Sequence, residues 1–194
     1  MKIKGLGLAI SLSIAAGALA VGITAPAIGH DGHQHHEKNK HHHSGDLVRA
    51  VRDATRRFHD VRQAEAEGYH LMFGCVSGPD DGAMGLHYVN LGLVGDGVLD
   101  PAKPEIVIYE PLPNGGRRLI GADFLIFADA WHASNPGATP QLGGQLMHLI
   151  DSPNRYGLPT FYTLHVWAWK PNPTGAFVNW HSDVSCEQFD GTED

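Results

Sequence analysis

The chain has 194 residues, a formal net charge of -7 at pH 7, fourteen histidines and two cysteines. An acidic balance of that size repels a phosphate backbone unless charge is strongly segregated, which argues against nucleic acid as a partner. Roughly 150 residues remain after the N-terminal segments described next, enough for one domain with its own core and too few for two.

Residues 1–27 carry Lys2 and Lys4 and then an uncharged apolar run from Gly5 to Ala27, the pattern of a secretory signal peptide. Gly17, Gly22 and Pro26 interrupt the run, which suits a cleaved segment better than a stable membrane anchor. Small-x-small cleavage sites end at Ala20, Ala27 and Gly29, so the cut is expected between 20 and 29. No cysteine lies near these sites, which excludes a lipoprotein anchor. The expected location is secreted or periplasmic, and loss of Lys2 and Lys4 takes the charge from -7 to -9. In such an oxidising compartment Cys75 and Cys186 are expected to form a disulfide, the alternative being two buried free thiols.

From His30 to His43 the sequence reads HDGHQHHEKNKHHH, with no apolar residue. Such a stretch cannot contribute to a core, so residues 28–45 are expected to be a disordered tail. Its clustered imidazoles at His30, His33, His35, His36, His41, His42 and His43 suit loose chelation of Cu, Zn or Ni. Cleavage after Ala27 would place His30 third, where a free amine, two deprotonated amides and an imidazole can enclose a square-planar Cu(II) or Ni(II). Cleavage after Gly29 would place it first, where its amine and imidazole can chelate copper. Either outcome favours copper over zinc at the tip. Cleavage after Ala20 would leave ordinary multi-histidine chelation.

A single α+β domain is expected over residues 46–190. Ser44 or Asp46 can cap a helix running to about Glu67, with Leu47, Val51, Ala54, Phe58 and Val61 at steps of four and three, and Gly68 stops it. Short apolar runs between Gly, Pro, Asn and Asp then predict strands at Met84 to Val89, Glu105 to Tyr109, Leu119 to Phe127 and Phe161 to Trp169, with a weaker one near Ala176 to Trp180. Pro113-Asn114-Gly115-Gly116 predicts an antiparallel hairpin between the second and third. Residues 130–159 show little periodicity, apart from a helical turn expected at Gln145 to Ile150, and read as a long covering loop. The expected architecture is a mainly antiparallel sheet with a leading N-terminal helix and that loop.

Phosphate-binding Gly-rich loops, a serine nucleophile elbow, H-E-x-x-H and C-x-x-C are all absent from the sequence. What remains is histidine and carboxylate in strand context. Alternation places Phe161, Thr163, His165, Trp167 and Trp169 on one face of the last strand, aromatic and polar together as in a pocket lining. His87 lies in a second strand, and Glu110 ends a third. Two histidines and a glutamate from three strands would make a three-ligand metal site with an open position. The alternative is a buried histidine bonded to a backbone carbonyl and a glutamate paired with Arg117 or Arg118. His132 and His148 are weaker candidates, and His59, His70 and His181 read as surface groups.

The segments Met84-Gly85-Leu86-His87-Tyr88-Val89-Asn90 and Leu164-His165-Val166-Trp167-Ala168-Trp169, the latter followed by Asn172-Pro173 and Gly175, give the stretch from Leu47 to Cys186 a resemblance to a family of exported bacterial proteins with no activity attached. The resemblance implies domain limits and no mechanism. Where the family's pattern has Asn-Pro, this chain has Asn90-Leu91. The leading expectation is an exported metal-binding protein. Its rivals are a metal-dependent enzyme on a small organic substrate and a metal-free binding or structural domain.

Overall fold

The computed structural model describes residues 45–191. The first periodic stretch is helical in three pieces rather than one: α1 over residues 45–55, a 3-10 turn at Arg56–His59, and α2 at Val61–Ala66. Asp60 makes the break. Its backbone is extended and its side chain accepts from the Arg62 N–H, so it caps α2 instead of continuing the helix before it. The kink keeps Leu47, Val51, Phe58 and Ala64 all buried. The chain then turns at Gly68, whose φ is 88°.

Eight strands follow: β1 His70–Ser77, β2 Ala83–Val89, β3 Ile106–Pro111, β4 Arg117–Phe127, β5 Gln141–Leu142, β6 Gln145–Leu146, β7 His148–Ile150 and β8 Phe161–Val166. Short helices α3 (Leu91–Val94) and α4 (Ala128–Ser134) lie between them. Six strands form one sheet in the order β1-β2-β3-β4-β8-β7, antiparallel at every step, and β5 pairs with β6 separately. The hairpin expected at Pro113–Gly116 joins β3 to β4, with the Leu112 N–H bonded to the Gly116 carbonyl and Gly115 at φ 73°.

The differences from the sequence expectations have local causes. β1 was not anticipated because Phe73 and Gly74, both at positive φ, form a bulge between Met72 and Cys75 and erase its alternation. Residues 130–159 are not one bare loop: the end of α4, the β5–β6 hairpin and edge strand β7 lie within them, and Gln145 to Ile150 is extended, not helical. The segment Ala176 to Trp180 forms no strand, and β8 ends at Val166.

The two faces of the sheet are covered differently. Leu86, Tyr88, Val107, Tyr109, Phe124 and Leu164 belong to the face packed against α1, the 3-10 turn and α2. The opposite face presents Ile106, Ile108, Leu125, Phe161 and Trp167, and irregular chain covers it, including Tyr156, Leu158 and Val184. The disulfide joins Cys75 in β1 to Cys186 across a Cα–Cα distance of 5.7 Å, tying the C-terminal segment to the sheet edge. Trp169 leaves the face that strand alternation assigns it, and its indole N–H donates to Thr55 Oγ1 on the helical side.

Candidate metal centre

Three strands bring three buried side chains together beneath the irregular cover. His87 projects from β2, Asp123 from the middle of β4 and His165 from β8, and they are 6%, 3% and 2% exposed. Register explains the meeting. Asp123 pairs directly with His165 across β4–β8 and with Ile106 across β3–β4, while His87 stands opposite Ile108, two residues along β3 and therefore on the same face. Among the described residues these three offer ligand atoms all within 4.8 Å of one another.

Two of the three side chains are held by hydrogen bonds from outside the cluster. The His87 Nδ1–H donates to the Gly85 carbonyl at 3.2 Å, which leaves Nε2 with a lone pair to offer. Asp123 Oδ1 accepts from the Thr163 hydroxyl at 2.6 Å and from the Leu164 N–H at 3.1 Å. His165 is different. Both of its ring nitrogens are buried and neither makes a hydrogen bond. Asn179 is near enough to favour its protonated form, yet no hydrogen-bond geometry is met, and Asn179 Oδ1 is itself buried without a partner. His165 Nδ1 lies 3.6 Å from Asp123 Oδ1, too long for a hydrogen bond. Ligands held about 2.0 to 2.2 Å from a shared ion stand roughly 3 to 4 Å apart, so this spacing fits two ligands of one metal.

Burial dominates the protonation of all three groups. It lowers His87 to about 4, with the neighbouring His165 adding to the effect and Asp123 opposing it. It lowers His165 to about 3, helped by exposed His148 nearby. It raises Asp123 to about 6, against the hydrogen bond from Thr163 and the proximity of His87. Both imidazoles are therefore neutral well below pH 7, the state in which they bind metal.

A cavity adjoins the cluster, lined chiefly by Phe73, Met84, Ile106, Tyr156, Phe161 and Asn179.

Glu110 does not join His87 and His165. It accepts from Lys170 Nζ at 2.6 Å and from the Arg118 guanidinium, so it is spent on an ion pair at the end of β3, and Asp123 holds the carboxylate position instead. The Arg118 and Lys170 charges bring its carboxyl below the ordinary range despite the opposing effect of burial, which is the largest single influence. His132 is engaged elsewhere, 3.1 Å from the Tyr162 hydroxyl. His59 and His70 are exposed as expected, but His181 is fully buried against Trp167, with Nδ1 accepting from the Asp183 N–H. The tail ligands His30, His33, His35, His36, His41, His42 and His43 lie outside the described residues, as do the signal segment and its cleavage sites.

Asp123 was missed from the sequence, although a signal was there. It is the one charged residue in the apolar run Leu119 to Phe127, and a carboxylate in the middle of a buried strand must have a specific partner. No family model, curated protein or solved structure matches the chain. No helix among the described residues is long and apolar enough to cross a membrane.

Proposed function

We propose that this chain is an exported metal-binding protein whose domain holds one divalent transition-metal ion between His87, Asp123 and His165, with the His30 to His43 segment gathering ions loosely. The observation that carries the reading is His165, fully buried with two unpartnered ring nitrogens beside a histidine lone pair and a carboxylate. A buried polar atom left unbonded costs about 1 to 3 kcal/mol, and an ion shared by the three side chains turns that cost into coordination. Two neutral imidazoles and one carboxylate form a borderline donor set suited to Zn(II), Cu(II) or Ni(II), and to Fe(II) by the same chemistry.

The cavity favours an open coordination position over a closed structural site, because three protein ligands leave room for a fourth group and the cavity adjoins them. Metal-assisted chemistry on a small molecule is the second reading on that ground. The test uses the full-length chain with its seven tail histidines changed to serine, so that only the domain can retain metal. Elemental analysis after gel filtration is expected to find one ion per chain, and none in the same chain carrying His165→Ala. Metal-free protein after incubation with each of the four ions contradicts the proposal.

A further inference from the structure

An ion that reaches His87, Asp123 and His165 must exchange its water shell for buried ligands, and the cavity beside them is walled mainly by apolar side chains. A site of this kind needs an entry path along which the exchange runs in steps. One exposed imidazole stands at the margin of the cluster. His148 begins β7, the edge strand of the sheet, and is exposed to solvent.

Register fixes the face on which it lies. His148 pairs with Thr163 of β8, and residues directly opposite each other share a face of the sheet. Thr163 and His165 are two positions apart on β8 and share that face as well. His148 is therefore a diagonal neighbour of His165, a relationship that places backbone positions about 7 to 8 Å apart, within reach of ring side chains. The Thr163 hydroxyl donates to Asp123 Oδ1 at 2.6 Å, so His148 is paired with the residue that orients one ligand and lies diagonal to another. Ile150, two residues further along the same face of β7, lines the cavity. After burial, His148 is the strongest influence holding His165 down. Yet His148 does not belong to the set whose ligand atoms all lie within 4.8 Å of one another.

Resting on the metal reading above, we propose that His148 is the entry ligand of the centre: a hydrated divalent transition-metal ion binds its imidazole at the sheet edge, sheds water there and passes to His165. Both ring nitrogens of His165 lack a hydrogen bond, so no bond has to break for it to receive the ion. His148 leaves the coordination sphere once the ion is seated among the three buried ligands. A group that binds the ion only in transit lowers the barriers to entry and exit equally and leaves the equilibrium unchanged.

The test uses the full-length chain with tail histidines changed to serine, and Co(II), whose visible absorption reports coordination. Stopped-flow mixing with Co(II) gives the loading rate, mixing of loaded protein with excess EDTA gives the release rate, and calorimetric titration gives Kd. His148→Ala and His148→Phe are each expected to slow loading and release about tenfold or more while Kd moves less than about threefold. Phenylalanine keeps the bulk of the ring without its lone pair, so slowing in both variants assigns the effect to coordination. His148→Glu restores a metal-binding atom and is expected to exchange Co(II) within about threefold of the parent rate. Parent rates in His148→Ala overturn the entry role, as does exchange in His148→Glu that is as slow as in His148→Ala. Weaker binding through faster release in His148→Ala also overturns it, because His148 is then a resident ligand. Each of these results leaves the metal centre standing. Absence of cobalt uptake by the parent overturns the metal reading itself, and this inference with it.

Discussion

Asp123 and His165 face each other as direct partners across β4 and β8, with Oδ1 of one 3.6 Å from Nδ1 of the other and no hydrogen bond between them. A buried acid and base at that separation are either an uncompensated cost or two ligands of one ion. Asp123→Asn distinguishes these, because the amide oxygen can still accept from Thr163 and Leu164 but carries no charge. At pH 8 the variant is expected to lose about a hundredfold or more in metal affinity by calorimetric titration. Its metal-free melting temperature is expected to stay level or rise, since an ionised buried carboxylate has been removed.

The pH dependence of binding follows from the same groups. His87 and His165, at about 4 and 3, are already neutral at pH 5, whereas Asp123, at about 6, still carries a proton there that the ion must displace. Affinity is therefore expected to rise about tenfold per pH unit between about 4 and 6, one proton being released per ion, and to level off above 6. Titration in buffers of different ionisation enthalpy counts that proton. Two protons released near pH 6 would mean that the imidazoles titrate normally and are not buried as described.

Gly85 links the backbone to the site. It sits at φ 94°, and a Cβ there would lie 2.5 Å from the Tyr109 carbonyl oxygen. Its own carbonyl orients His87. Gly85→Ala is expected to cost at least about 2 kcal/mol in urea unfolding, since the neighbour is backbone and cannot swing away. Metal affinity is expected to fall at the same time, through the lost orientation of the ring.

Which parts of this arrangement were legible in the sequence depended on whether the pattern was local. β2, β3 and β4 and the Pro113–Gly116 turn announce themselves through apolar runs and turn residues, and alternation in β8 placed His165 and Trp167 on one face correctly. The Cys75–Cys186 pair followed from the cysteine count and the expectation of an oxidising compartment. β1 was hidden because the Phe73-Gly74 bulge disrupts its period, and β7 because three residues are too few to show one. The partners of Glu110 and Asp123 follow from which strands are neighbours, which the sequence does not show. Order β4-β8 puts Asp123 beside His165, while Lys170 and Arg118 take up Glu110. His181 read as surface because its burial arises from an isolated bridge to Ala83 far earlier in the chain.

Glu105 supplies a test of stability separate from the metal. It is 1% exposed, with Oε2 accepting from the Leu125 N–H at 3.2 Å, and burial pushes its carboxyl up to about 8. Between about 4.5 and 8 the folded state therefore holds a proton that the unfolded state has lost, so this group's contribution to stability declines as pH rises through that window. Between pH 5 and pH 8 the decline is on the order of 3 kcal/mol. Glu105→Gln is expected to remove it, and urea titrations of both proteins at the two pH values measure the difference. Parallel pH profiles would show that Glu105 is ionised in the folded protein.

The central claim is most directly tested by X-ray absorption at the metal edge, on the full-length chain with its tail histidines changed to serine and one equivalent of bound Zn(II). Coordination by His87, Asp123 and His165 predicts a first shell of nitrogen and oxygen only, with the outer-shell scattering of two imidazoles. His165→Ala should abolish that signal with the loss of the bound ion. A bound ion with no imidazole scattering, or a two-imidazole signal unchanged in His165→Ala, would contradict the account.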